Sequence, residues 1–204
     1  MPSDVNRKLI FDAAKVLGAK FLNAQDVAVM DRAIDEAILP LTPPPPAGKF
    51  VLGDFSRNQL VPVLPQLRQC VELAISVSPV DFRVNQGERT LAEQKAAVAA
   101  GNSRTMHSKH LRQSDGFVWA VDLVCWIDGK ISWEFNRYAG VAYAMDRAAT
   151  QLGIADHVRW GCAWDRVLSD FGGDVKAYLA EAKAYAARHA GSDLLDAPHF
   201  EWVV

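Results

Sequence analysis

The sequence predicts an α+β domain, a small antiparallel sheet flanked by helices, preceded by an N-terminal helical hairpin. Three observations carry this reading. From Asp81 onward, short alternating runs interleave with longer runs at helical spacing. Pro40-Leu-Thr-Pro-Pro-Pro-Pro-Ala-Gly48 holds four consecutive prolines, which favour a stiff polyproline II spacer and cannot continue a helix. The 204 residues, half of them apolar and 23% charged, suffice for one sizeable domain plus a small appendage. We therefore divide the chain into a helical module at 1–39, a linker at 40–48 and a main domain at 49–204. A proline-rich surface loop within one domain is the alternative.

Each element has a local reason. Ser3 or Asp4 can cap a helix to about Leu17, where Gly18 follows as a stop. Asn23 can cap a second helix to about Ile38, with Val27, Met30, Ala33, Ile34 and Ala37 on its apolar face. Two short helices bury only one seam, so this hairpin is expected to dock or to bind a partner. Beyond the linker, Leu60 to Ser78 reads as a helix, with Pro62 and Pro65 near its start and Leu64, Leu67, Val71, Leu73 and Ala74 toward the core. Phe82-Arg-Val-Asn-Gln86 alternates as a strand, with Arg83 toward solvent, and Thr90 caps a helix to about Ala100. Val118 to Trp126 is the second strand, and Asp128-Gly129 marks a hairpin turn. Phe135 to Leu152 is a long amphipathic helix stopped by Gly153. His157 to Gly161 is a short strand, Asp174 to about His189 an alanine-rich helix, and Pro198 to Val203 the last strand.

The formal net charge of -2 argues against a broad electrostatic hold on nucleic acid. Cys70, Cys125 and Cys162 are odd in number and far apart, so no disulfide framework is implied. The first residues lack the apolar core and cleavage site of a secretory signal, and no run approaches the roughly 18 apolar residues that span a bilayer. The chain is expected to be made in the cytoplasm, without stable membrane insertion.

Ser108 to Leu123 and Asp196 to Trp202 hold the candidate chemistry. Asp122 lies inside an apolar run, where an ionised carboxylate is costly unless paired. A metal would pair with it, His110 is a plausible co-ligand, and His199 lies in a second short aromatic strand. Two histidines and a carboxylate with an open fourth position match a catalytic zinc. His110 and Asp122 alone are equally well read as a satisfied structural pair.

The surrounding residues narrow the choice. Gly87-Glu-Arg-Thr-Leu-Ala-Glu-Gln94, Ser103-Arg-Thr-Met-His-Ser-Lys-His110, Gly116 with Ala120-Val-Asp-Leu-Val124, Arg159-Trp-Gly161 with Trp164, and Asp196-Ala-Pro-His-Phe-Glu201 occur in that order. This series resembles the zinc peptidases of the D-alanyl-D-alanine carboxypeptidase and L-alanyl-D-glutamate endopeptidase family, with a Hedgehog/DD-peptidase-like fold. The branch is that of phage endolysins, which cut the peptidoglycan stem peptide. The resemblance covers roughly Phe82 to Trp202.

Carried over, it implies zinc on His110, Asp122 and His199, with Asp196 as the proton-transferring carboxylate. Arg89 would hold substrate and steady the oxyanion, with Ser108, Gln94 and Trp164 also toward substrate. It implies hydrolysis of the L-alanyl-D-glutamate bond for bacterial lysis, by a monomer acting on the cell wall after release. A D-alanyl-D-alanine carboxypeptidase or dipeptidase would share every ligand. A metal-stabilised wall-binding module without catalysis is a further alternative, although it has no need of Asp196 and Arg89.

One departure stands out. Leu111 to Trp119 makes the stretch between the first histidine and the aspartate several residues longer than in the relatives, and Trp119 stands where a histidine is common. A surface loop absorbs such length at small entropic cost. His107 then remains an alternative first ligand. Asp115 beside Gly116 reads as a turn former. Glu201 would face the same side as His199, either behind it or as a plain surface carboxylate. His157 and His189 read as structural or exposed, and Trp126, Trp133, Trp160 and Trp164 chiefly as core, with Trp160 or Trp164 able to line a cleft.

Overall fold

A computed structural model describes residues 49–189 and 195–204. The two N-terminal helices and the linker expected at 1–48 lie outside the described residues. The helices are α1 (Asp54–Leu60), α2 (Pro65–Val77), α3 (Leu91–Ala99), α4 (Phe135–Leu152) and α5 (Val175–Arg188). The strands are β1 (Phe82–Gln86), β2 (Ala120–Ile127), β3 (Lys130–Ser132), β4 (Val158–Trp160) and β5 (His199–Trp202). All strand pairs are antiparallel, in the order β1-β2-β5-β4, with β3 on the far end of β2. This is the expected α+β architecture.

The sheet has one face in the core. Phe82, Val84, Val121, Leu123, Cys125, Val158, Trp160 and Phe200 are buried in a single cluster with α2 and α4 residues such as Leu67, Val71, Met145 and Ala148. Period-two alternation in the strands then turns Asp122, His199 and Glu201 to the other face. All three cysteines are buried, and burial pushes the Cys125 thiol up to about 12, which suits packing rather than ligation.

The strongest local signals set the boundaries. Helix α4 runs from Phe135 to Leu152 and stops at Gly153, whose φ of 69° is the left-handed cap. Asp128 and Gly129, at φ 51° and 76°, make the β2–β3 turn. The helix expected from Leu60 begins only at Pro65, and a separate short helix, α1, ends at Leu60. Pro65 forces Leu64 out of the helical region (φ -45°, ψ 127°), so α2 starts at Pro65 and Val61 to Leu64 link it to α1. Val118 is not in β2. It forms isolated bridges to Val63 and Arg112, anchoring the loop before the strand.

Two side chains depart from expectation. Arg83 is half-buried rather than extended into solvent, lying between the Phe55 and Trp126 rings, 4.4 and 4.7 Å from their centroids. Trp133 is 67% exposed rather than core.

Candidate metal centre and cleft

Strand register brings the site together. Asp122 on β2 is paired with Gln86 on β1 and with His199 on β5. The next row pairs Ala120 with Glu201, and Glu201 with Arg159 on β4. A bulge between Val84 and Gln86 breaks the β1 alternation, letting Gln86 join this face although Val84 is in the core. His110 arrives from the loop before β2. Its backbone carbonyl accepts from the Arg89 N–H at 2.8 Å, and its N–H donates to Ser108 Oγ at 3.2 Å.

Two glycines permit the close packing. A Cβ on Gly87 would lie 2.1 Å from the Gln59 carbonyl oxygen, and one on Gly161 would lie 2.3 Å from that of Asp196. Gly161 thus lets the Asp196–His199 turn lie against β4. It accepts from the Asp196 N–H at 2.9 Å and donates to the His199 carbonyl at 2.8 Å. The buried Trp160 ties the same turn by donating from Nε1 to the Ala197 carbonyl at 2.9 Å.

His110 Nε2, Asp122 Oδ1 and His199 Nδ1 form a triangle with every edge 3.2 Å. Four ligands placed tetrahedrally at the usual zinc distances stand about 3.3 Å from one another, so the triangle matches one face of such a site. The protons agree. His110 Nδ1 lies 2.6 Å from the Gly87 carbonyl, which can only accept, so Nδ1 carries the proton and Nε2 presents its lone pair. His199 Nε2 donates to Glu201 Oε2 at 3.2 Å, leaving Nδ1 to face inward. Two lone pairs and an anionic oxygen therefore converge, and a cation must be shared among them. These three side chains can hold a metal.

The electrostatics say the same. For Asp122, burial opposes ionisation, but the His110 and His199 contacts outweigh it and hold its carboxyl far below the ordinary range. Burial likewise opposes charge on His199, yet hydrogen bonds to Asp122 and Glu201 push it up to about 10. The same two carboxylates that favour charge on His199 mark this as a place for a cation.

Behind His199, Glu201 is 6% exposed and also accepts from Arg159, through Nε at 3.0 Å and through Nη2. Arg159 Nη1 donates on to the Trp164 carbonyl at 3.1 Å. Burial raises the Glu201 carboxyl, but His199 and Arg159 outweigh this and keep it ionised. Glu201 is thus the acceptor behind a candidate ligand, not a surface carboxylate.

Arg89 is fixed beside the cluster. Its Nε and Nη2 donate to Gln86 Oε1 at 3.1 and 2.5 Å, its Nη1 donates to Gln94 Oε1 at 2.8 Å, and Nη2 lies 3.9 Å from Asp122 Oδ2. Gln94 does not reach the cleft. It is fully buried, and its amide N–H groups go to Ser103 Oγ at 2.8 Å and the Thr105 carbonyl at 2.6 Å. The Thr90–Glu93 capping box starts α3 at the point that turns Gln94 inward.

Asp196, Ser108 and Trp164 line a cleft of about 390 Å³ with Arg89 and the cluster. Burial, then the Asp122 charge, raise the Asp196 carboxyl above the ordinary range, with His199, His110 and Arg89 opposing. Among the described residues this carboxyl accepts no hydrogen bond. His107 is exposed on the cleft wall and outside the triangle.

The long loop after His110 is built rather than loose. Arg112 places a fork on Glu88 at 2.7 and 2.8 Å, the Phe117 N–H donates to Asp115 Oδ1 at 3.0 Å, and Trp119 Nε1 donates to Asp115 Oδ2 at 2.7 Å. The buried Val118 closes the loop on Val63.

The proteins to which this chain is similar are L-alanyl-D-glutamate peptidases. The family model described as phage L-alanyl-D-glutamate peptidase matches residues 48–203. The L-alanyl-D-glutamate peptidase of Escherichia phage T5 is 33% identical over 120 residues, 57% of this chain and 82% of that protein. The crystal structure of the Serratia marcescens L-Ala D-Glu endopeptidase ChiX aligns with a TM-score of 0.54 and 31% identity, covering 76% of this chain and 92% of that one. The chain belongs to the phage L-alanyl-D-glutamate peptidase family.

Proposed function

We propose that this protein hydrolyses the L-alanyl-D-glutamate bond of the bacterial cell-wall stem peptide, with zinc held by His110, Asp122 and His199, for lysis of a bacterial host. One observation carries the reading. Gly87 and Glu201 take the outer ring protons of both histidines, so the inner lone pairs converge with Asp122 on a place that needs a cation.

Zinc so held supplies a Lewis acid and brings the pKa of its water to about 7. Asp196, its carboxyl raised by burial and free of hydrogen bonds among the described residues, takes the proton of the attacking water and returns it to the leaving amine. Arg89, clamped by Gln86 and Gln94, presents its charge where the carbonyl oxygen becomes negative. Ser108 and Trp164 bound the cleft against the substrate backbone. Gln94 acts through Arg89 rather than on substrate. In this account residues 1–39 are a helical module joined through 40–48 to the peptidase at 49–204. The protein acts as a monomer, made in the host cytoplasm and reaching the wall after release.

The test is purified protein on isolated peptidoglycan, with released termini read by mass spectrometry. New N-terminal D-glutamate, lost with chelator and restored by zinc, is expected. Released D-alanine would replace the reading with a carboxypeptidase. No cleavage by the folded, zinc-loaded protein would leave a wall-binding module.

A further inference from the structure

The long loop after His110 carries a feature that the cleavage chemistry does not use. Asp115 Oδ2 accepts from Trp119 Nε1 at 2.7 Å, which fixes the indole at the base of the loop. Lys109 Nζ lies 4.3 Å from the centroid of that indole, a cation held over an aromatic face. Lys109 also lines the cleft, next in sequence to His110. The Trp119 N–H donates to the Lys109 carbonyl at 2.8 Å, so backbone and side chain both tie the two residues. The cleft is cationic outside the metal triangle. Arg89 and Lys109 line it together with Asp196, while Arg159 and Glu201 are committed to each other.

We infer that Lys109, positioned by the Asp115–Trp119 pair, is a specificity-determining residue that takes a free carboxylate of the substrate's D-glutamyl residue. The inference rests on the proposed function and deepens it. The chemistry is general. Glutamate on the amine side of the scissile bond has two carboxyl groups, and a chain that continues through one leaves the other free. That charge lies a few bonds from the reacting carbonyl, and Lys109 lines the same cleft as His110, Asp122 and His199. The indole face restricts the lysine without neutralising it, so the ammonium keeps its charge for an anionic ligand.

The experiment compares two stem peptides, one with a D-glutamate carboxylate free and one with that group amidated, cleaved by the zinc-loaded full chain. The wild type should favour the acid peptide by about tenfold in kcat/KM, mostly through KM. Lys109→Met should reduce this preference to under about threefold, Lys109→Arg should keep it, and Trp119→Ala should weaken it. The wild-type preference should also shrink as salt screens the contact. A wild type indifferent to amidation, or a preference that survives Lys109→Met, would overturn this assignment alone. Cleavage of neither peptide by the wild type would overturn the proposed function, and this assignment with it.

Discussion

Replacing Glu201 with Gln tests how the sheet prepares His199. The carboxylate serves two donors at once, accepting from His199 Nε2 at 3.2 Å on one oxygen and from Arg159 on the other. A carboxamide keeps one acceptor oxygen and turns an NH2 toward the second donor, so one contact becomes donor against donor. If Gln keeps Arg159, His199 loses the acceptor that holds its outer proton, and the tautomer with an inward lone pair is no longer favoured. Losing such a partner typically costs about 10–100-fold in metal affinity, or roughly 1.4–2.7 kcal/mol. Arg159 loses its counter-charge, but its side chain is 31% exposed, so water recovers part of the loss. A stability cost of about 1–2 kcal/mol is expected, or a Tm lower by roughly 2–8 °C. The assay is zinc competition against a chromophoric chelator, paired with thermal unfolding of metal-free protein. A variant with zinc affinity within threefold of wild type and only a lowered Tm would refute the reasoning, leaving Glu201 as a structural ion-pair partner.

Other predictions follow from the same geometry. Asp196→Asn should keep a full complement of zinc yet lower kcat by about 10²–10⁴, and equal turnover would remove Asp196 from proton transfer. Gly161→Ala places a methyl 2.3 Å from the Asp196 carbonyl oxygen, so the turn must move. We expect a loss of about 2–4 kcal/mol in chemical denaturation, together with lower activity. Metal uptake should be linked to protons. His199 is pushed up to about 10 without metal, so below that pH its inward nitrogen must lose a proton before it can bind. One proton should be released per zinc, and apparent affinity should rise about tenfold per pH unit through neutrality. Calorimetry in buffers of different ionisation enthalpy reads that proton, and its absence would show that His199 does not exchange a proton for metal.

Much of the fold was legible because its signals are local. The spacing and terminal glycine of Phe135 to Leu152, the Thr90 cap and the Asp128–Gly129 turn act within a few residues, and the structure has them in place. Helix α1 is not legible because seven residues show too few turns for a periodic pattern, and two nearby prolines leave open that Pro65, not Pro62, marks the start of α2. At the site, Asp122 and His199 stand out as polar groups in apolar strands that demand partners, and His110 through its place in the shared Ser-Lys-His stretch. What lay behind them did not. The Gly87 carbonyl, the Gln86–Arg89–Gln94 clamp and the Arg159–Glu201 pair depend on cross-strand register and on one bulge, which no local pattern encodes. The shared motif points Gln94 toward substrate, but the cap that starts α3 turns it inward.

On the proposed function, three side chains from two strands and a loop hold one zinc ion. Anomalous scattering at the zinc edge, from crystals of the full chain grown with zinc, tests this most directly. A single strong peak is expected within about 2.0–2.2 Å of His110 Nε2, Asp122 Oδ1 and His199 Nδ1. A peak centred on His107, or none at these residues in zinc-loaded protein, would contradict it.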